Sequence, residues 1–364
     1  MNEKPLVTIC FLAYNCAGFL EKALQPLINQ TYQNTQIIVS NNQSTDNTAE
    51  VIKRLQAKYP QLIARENIPN VKTEEFSDIG IGDASGIKKR KSYDVCLNHC
   101  NSILTSGLVK GELVIFCHQD DIYQTDIVEK EVEFLLAHPE VPAVFSMGNI
   151  INEHDAIIGE YKLPKPLPGK NVHHFNEIFK AILNHGNTFL ITPTLMAHRS
   201  LFDSVGLFDD QGPFGGSDDL EMWLRILEKY PIGILPEKLI NWRTDGRGKK
   251  SNQLRTQEAD FFKVMDYYLV EKKYASVANK KDLRQYAYQK DFDNTLRAMN
   301  FLLMQNANEA KTIINNSFSP DNFRAFFENP KVLRAKVLGL KILLFIGINL
   351  GLKKPLEKLL RRIS

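Results

Sequence analysis

Hydrophobic and polar positions in the first 150 residues follow two alternating patterns. Residues 7–13 are an unbroken apolar run with β-branched members, closed by Tyr14-Asn15, and predict a buried first strand. Over residues 18–30, Leu20, Ala23, Leu24, Leu27 and Ile28 recur at helical spacing. Residues 36–40 (QIIVS) predict a second buried strand, after which Ser44 or Thr45 is placed to cap a helix with the apolar face Ala49, Ile52 and Leu55. Strand, helix, strand, helix at this spacing argues a parallel, right-handed α/β sheet.

The pattern continues with interruptions. Residues 67–92 are polar and Gly-rich and include Lys88-Lys89-Arg90-Lys91, a long loop expected near a site. A helix over 92–108, a third buried strand over 112–117 (ELVIFC) and a helix over 123–137, capped by Asp121 or Thr125, follow. Another strand is predicted over 141–147, a Pro-rich loop over 163–169, helices over 174–184 and 217–230, an extended segment over 192–198 and a glycine-rich connection over 206–216. From about residue 251 strand signals stop, and helical patterns occupy 254–273, 281–306 and 308–317. The chain therefore divides into an α/β domain (1–250), a helical accessory region (251–328) and a basic tail (329–364).

Composition narrows the class. With 43% hydrophobic and 24% charged residues the chain is ordinary globular protein. The five cysteines, Cys10, Cys16, Cys96, Cys100 and Cys117, are odd in number and contain no C-x-x-C pair, which argues against a disulfide framework or zinc ribbon and for a reducing compartment. Cys96, His99 and Cys100 can share a helix face, but small buried thiols are the simpler reading. The first residues lack the pattern of a signal peptide, and no apolar run of 18 residues occurs.

The net charge of +3 hides an asymmetry: residues 331–364 carry nine Lys/Arg against Glu357 alone, and the remainder carries 36 Lys/Arg against 41 Asp/Glu. The cationic charge points to an anionic partner for the tail, with no nucleic-acid site in the rest. Residues 337–352 are apolar except for Lys341 and Asn349 and are flanked by Lys and Arg. That suits a helix lying in the headgroup layer of an anionic membrane; the alternative is a helix that packs on the rest of the chain or on a second copy.

The densest chemistry follows the third strand, at His118-Gln119-Asp120-Asp121. Ligands of open parallel sheets bind at the carboxyl ends of strands. A diphosphate leaving group there calls for Mg²⁺ or Mn²⁺ on hard oxygen ligands, with Asp120 as one ligand and His118 as a second. The plainer reading makes Asp120 and Asp121 helix caps only.

Several motifs together resemble the family 2 glycosyltransferases. Asn29-Gln30-Thr31-Tyr32, Ser44-Thr45-Asp46-Asn47-Thr48, Gly111-Glu112 leading to His118-Gln119-Asp120-Asp121, Asp218-Asp219-Leu220-Glu221-Met222-Trp223-Leu224-Arg225 and Trp242-Arg243 occur in the family's order across residues 6–245. The resemblance implies a GT-A (Rossmann-like) α/β fold, with a mostly parallel sheet flanked by helices and here a C-terminal helical region. It implies a nucleotide-sugar donor, UDP-linked by preference, and an inverting displacement onto a glycan or lipid-linked acceptor hydroxyl, as in surface polysaccharide synthesis. Carried over residue by residue, Ala13, Tyr14, Asn15, Asn41, Asn42, Ser44, Gln119 and Asp120 hold the nucleotide, and Asp120 with His118 holds the metal. Asp219 is the general base, with Asp218 as the alternative; Trp223 walls the acceptor site or is a core aromatic. Arg243 and Arg247 contact phosphate or acceptor, with Lys249 and Lys250 as weaker candidates.

Three departures stand out: Asn41-Asn42 where the family has an acid, His118 where it has the first acid of D-x-D, and Thr244-Asp245 where a His often follows the aromatic-Arg pair. They motivate the rival expectation of a catalytically silent nucleotide or sugar-binding module on the same fold. The expected location is the cytoplasm, peripherally on the inner face of the cell membrane.

Overall fold

The computed structural model describes residues 4–67, 92–165, 167, 169–210, 212–244, 255–318, 324, 327 and 332–363. Residues 1–181 and 185–246 form one compact unit, and residues 182–184 and 247–364 form a second.

The first unit is built on a sheet of ten strands: β1 (Val7–Ala13), β2 (Thr35–Asn41), β3 (Leu62–Glu66), β4 (Leu113–His118), β5 (Ile122–Tyr123), β6 (Ala143–Ile151), β7 (Ile157–Glu160), β8 (Val172–His173), β9 (Met196–His198) and β10 (Ile232–Arg243). Their order is β3-β2-β1-β4-β9-β6-β10-β5, with β7 on β6 and β8 on β10. The long ladders β1·β2, β1·β4, β2·β3 and β6·β10 are parallel, while β9, β5, β7 and β8 add short antiparallel pairings. The helices are α1 (Leu20–Ile28), α2 (Thr48–Lys58), α3 (Ser92–Leu104), α4 (Ile127–Ala137), α5 (Phe175–His185), α6 (Arg199–Val205) and α7 (Asp218–Leu227).

Every residue of β1 is buried, which is why its sequence is an unbroken apolar run and does not alternate. The register fixes the functional edge: Ala13 lies opposite Asn41, Asn41 opposite Glu66, and Leu12 opposite His118. Four parallel strands thus end together. Gly111 has a steric reason to be glycine, since a Cβ there would lie 2.6 Å from the Thr8 amide nitrogen and 2.7 Å from the Leu6 and Leu113 carbonyls. Its N–H donates to Thr8 Oγ1 at 2.9 Å.

Several expected elements are corrected. The helix expected from 123 begins at Ile127, because Ile122-Tyr123 pair with Ile240 and Asn241 as a strand. Neither Asp121 nor Thr125 caps it, and the position before the helix is Asp126. Ser44 and Thr45 do not cap α2, whose first amide donates to Asp46 Oδ1 at 3.0 Å. The segment 192–198 is a short 3₁₀ turn (Thr192–Thr194) before β9. Strands β3, β7, β8 and β10 were not expected from the hydrophobic pattern.

The second unit is helical: α8 (Asp260–Asp266) running into a π turn (Tyr267–Glu271), α9 (Lys280–Leu303), α10 (Ala307–Asn316), α11 (Val332–Asn349) and α12 (Lys353–Ile363). A capping box opens α9: Asn279 Oδ1 accepts from the Lys281 and Asp282 amides, and Asp282 Oδ2 accepts from the Asn279 amide. The basic segment does not stand apart from this unit. Leu344 and Ile348 of α11 and Leu356 and Leu360 of α12 share a core with Leu302, Leu303 and Ile314.

Candidate functional site

The loops after β1 and β2 are tied to one another by side chains. Asn15 adopts the left-handed conformation (φ +48°), which an Asx side chain tolerates. Its amide donates to Ser44 Oγ at 2.9 Å, and its Oδ1 accepts from the Thr45 amide at 2.8 Å. Ser44 in turn donates to Asn41 Oδ1, and the Asn42 amide donates to the Ala13 carbonyl at 2.8 Å. Asp46 accepts from the Ala17 amide and from the Thr48 amide and hydroxyl, and the Thr48 bond holds its carboxyl below the usual range. The Ser-Thr-Asp-Asn-Thr motif therefore works as a clasp between two βα turns.

The amide of Asn41 points at a partner that the hydrophobic pattern missed. Its Nδ2 donates to both carboxylate oxygens of Glu66, at 3.0 and 2.9 Å, and Glu66 remains exposed at the end of β3. Beside it, Asn67 Nδ2 donates to Asn42 Oδ1 at 2.7 Å. An acid thus stands next to Asn41 although the second strand itself ends in two amides. The signal in the sequence was the short LIARE segment one helix after β2, where a βαβ repeat calls for a strand.

At the end of β4, His118, Gln119 and Asp120 are all partly exposed. Gln119 Oε1 accepts from the Tyr14 amide, which joins this turn to the β1 turn. Burial lowers the His118 pKa, against the opposing charge of Asp120, so its imidazole is neutral at pH 7. The His118 amide donates to the buried hydroxyl of Tyr123 at 2.8 Å. Asp121 has a different environment from Asp120. It is 1% exposed, its Oδ1 accepts from the Arg243 amide at 2.8 Å, and burial raises its pKa well above the carboxylate range.

Arg243 is itself buried, which corrects its expected phosphate-contact role. Its Nε donates to the Asp120 carbonyl at 2.8 Å and its Nη1 to the Asn152 carbonyl at 2.7 Å. Asp155 lies 2.5 Å from its Nη2, and the Phe19 ring is 5.6 Å from its Cζ. The guanidinium thus fastens the Asp120–Asp121 turn to the end of β10. Arg247 lies outside the described residues, as do Lys249, Lys250 and the Lys88–Lys91 cluster.

The acidic pair at the start of α7 divides in the same way. Asp218 is 1% exposed, whereas Asp219 keeps contact with solvent. Thr192 Oγ1 donates to Asp219 Oδ2 at 2.8 Å, and the Leu220 amide donates to its Oδ1 at 2.7 Å. Burial raises the Asp219 pKa, and those two hydrogen bonds pull it back down. Trp223 is a core aromatic and does not wall a cleft: it is 1% exposed and packs edge-on against Phe145 (5.2 Å) and Phe208 (5.8 Å). Arg225 closes the same helix onto the preceding loop through the Val205 and Leu207 carbonyls at 2.6 and 3.0 Å.

The Asp120 and Asp219 carboxylates both act on one residue of α3. Cys96 feels the negative charge of both, yet its pKa falls because the Cys100 thiol donates to its sulfur. Among the described residues no three His, Cys, Asp or Glu side chains gather as a metal-ligand group.

Comparison with known proteins gives a consistent answer. The family described as Glycosyl transferase family 2 matches residues 8–71, the segment that carries β1, β2, β3 and the clasp. An uncharacterized glycosyltransferase of Haemophilus influenzae is 25% identical over 74% of this chain and 76% of its own length. The UDP-Glc:alpha-D-GlcNAc-diphosphoundecaprenol beta-1,3-glucosyltransferase WfaP of Escherichia coli is 23% identical over 62% of this chain and 71% of its own. The crystal structure of S. aureus TarS 1–349 in complex with UDP-GlcNAc superposes with a TM-score of 0.53 at 13% identity, covering 96% of this chain and 92% of that one. The strand order, the clasped turns and these likenesses show an α/β GT-A fold and a chain similar to the family 2 glycosyltransferases, whose family model matches its first strands.

Proposed function

We propose that the chain transfers a sugar, with inversion, from a UDP-sugar to a hydroxyl of a glycan or lipid-linked acceptor in surface polysaccharide synthesis. The observation that carries this reading is the split between the two acids of α7, where Asp218 is buried and Asp219 is solvent-accessible and oriented by Thr192. Asp219 takes the proton of the acceptor hydroxyl as its oxygen attacks the anomeric carbon. The bond from that carbon to the diphosphate oxygen breaks, and the nucleoside diphosphate leaves with the electron pair. The Ala13-Tyr14-Asn15 turn, the Asn41-Asn42 segment and Ser44 receive the nucleotide, with Glu66 added beside Asn41.

Asp120 and a neutral His118 suit a divalent cation, Mn²⁺ or Mg²⁺, and are the residues that would hold it. When bound, such an ion would neutralise charge on the leaving diphosphate. Residues 1–250 hold this chemistry, with 251–328 as a helical accessory region and 329–364 as a basic segment. The WfaP likeness supports a lipid-linked acceptor and hence a place at the inner face of the cell membrane.

Substituting Asp219→Asn tests the reading: turnover falls by about 10²–10⁴ with donor affinity retained. A silent module, the alternative that His118 and Asn41 motivate, has no turnover to lose in any variant. Calorimetry with UDP, GDP, dTDP and CMP, each with Mn²⁺ and with chelator, identifies the donor class. Binding of UDP that needs the metal and vanishes in Asp120→Ala is the expected result.

A further inference from the structure

Helices α11 and α12 form a hairpin whose apolar residues go two ways. On one side of α11, Val337, Lys341, Leu344 and Ile348 recur at helical spacing and are buried. The cation at the second position of this stripe is accommodated because Lys341 Nζ meets Asp291 Oδ1 and the Ser317 carbonyl, both at 2.5 Å, and the Phe318 ring at 4.6 Å. On the other side, Ile342, Ile346 and Leu350 recur at i, i+4 and i+8 and are 40%, 48% and 69% exposed. Leu343 lies beside them and Leu352 follows the turn, 49% exposed.

The turn is a Schellman motif. Gly351 takes φ +74°, its amide donates to the Ile348 carbonyl, and the Leu352 amide donates to the Gly347 carbonyl at 2.8 Å. That geometry sets Leu350 and Leu352 at the tip of the hairpin. Lys353 and Lys354 follow at once and Lys358 one turn later, all exposed. A helix apolar on both sides is normally buried on both. An exposed apolar stripe next to concentrated charge of one sign is the signature of a contact surface.

We propose that Ile342, Ile346, Leu350 and Leu352, with Lys353, Lys354 and Lys358, form a docking surface for an anionic lipid bilayer. The choice of occupant rests on charge: residues 331–364 carry nine Lys/Arg against one acid, which complements lipid phosphates and disfavours a second copy of the same cationic face. The stripe enters the boundary between headgroups and acyl chains, and the lysine stems lie along it with their ammonium groups on the phosphates. The inference deepens the reading of a membrane-held acceptor and assigns it to one helix face.

The test uses the full chain pelleted with vesicles of phosphatidylcholine alone or mixed equally with phosphatidylglycerol. Binding is expected only to the mixed vesicles. It should fall by about tenfold or more in the pair Ile346→Ser/Leu350→Ser and in the pair Lys353→Glu/Lys354→Glu, since each basic residue at a membrane surface contributes a several-fold gain. All four positions are exposed, and circular dichroism checks that the helices persist. No binding to mixed vesicles, binding undiminished in both pairs, or a dimer on sizing columns that the same pairs dissolve would overturn the proposal. Asp219→Asn is run alongside. If it binds vesicles like the parent while the parent transfers no sugar, the transfer reading has failed and the docking surface stands.

Discussion

Thr192 Oγ1 donates a hydrogen bond to Asp219 Oδ2 at 2.8 Å, from a 3₁₀ turn to the first turn of α7. A bond donated to a carboxylate favours its charged form, whereas burial favours the neutral one, and here burial prevails. Only the ionised form can accept a proton. Thr192→Val should therefore raise the Asp219 pKa further and move the acidic limb of the kcat/KM profile to higher pH. Thr192→Ser should leave the limb in place. An unchanged limb in Thr192→Val would show that another group sets it.

Arg243 is used as a brace. Three of its N–H groups hold the Asp120 carbonyl, the Asn152 carbonyl and Asp155, and its backbone amide holds Asp121. Lysine keeps the charge but not the fork. Arg243→Lys should cost about 2 kcal/mol of stability in denaturant titration, the scale of a lost bond to a charged group. It should also lower kcat/KM by about 10²-fold by displacing Asp120. A normal kcat/KM would mean that the turn keeps its position without the brace.

Asn41 and Glu66 are predicted to be energetically coupled. Asn41→Asp places two carboxylates within hydrogen-bonding distance and should destabilise the protein by about 1 kcal/mol. Adding Glu66→Gln restores a donor and should recover most of that loss, a coupling that a double-mutant cycle reads directly. Donor binding should follow the same pattern if this pair meets the base.

Glu131 is completely buried on α4 beside Ser146, and its pKa is raised well above the ordinary value by that burial. The folded chain therefore holds a proton that the unfolded chain releases above about pH 4.3. Its contribution to stability is present below that pH and is lost as pH rises through the folded value. Glu131→Gln removes the dependence. The variant should match the parent near pH 4 and exceed it at pH 7–8, the gap widening by at most about 1.4 kcal/mol per pH unit within the window. Thermal melts across pH measure the gap.

What the sequence disclosed follows from how each element is buried. Strands β1, β2 and β4 are enclosed on both faces and therefore read as apolar runs. Strand β3 is only five residues long, and the face that starts with buried Leu62 continues with exposed Ala64 and Glu66, so it shows neither an apolar run nor an alternation, and Glu66 was missed with it. Strand β10 carries exposed Pro236, Glu237 and Lys238 at a register shift, which breaks the alternation that would mark a strand. The motif positions at Asn15, Ser44 and Asp120 were legible because they lie at strand ends. That Asp121, Arg243 and Trp223 turn inward was not, since only tertiary partners decide which way a polar or aromatic side chain faces. Lys341 looked like an interruption of a membrane-seeking run, and its buried partner Asp291 is 50 residues away.

The sheet changes character at β9, with the continuous parallel half β3-β2-β1-β4 on one side and, on the other, the parallel β6·β10 ladder edged by short antiparallel additions. The family match falls wholly within the parallel half. In that half each turn is bonded to its neighbour, so altering one displaces the next. The proposed general base, Asp219, instead enters on α7, held by one hydroxyl and helix packing, with no ladder to keep in register. Such a molecule can exchange its acceptor-side segments with little effect on donor capture. Its relatives are therefore expected to diversify in what they glycosylate faster than in the activated sugar they consume.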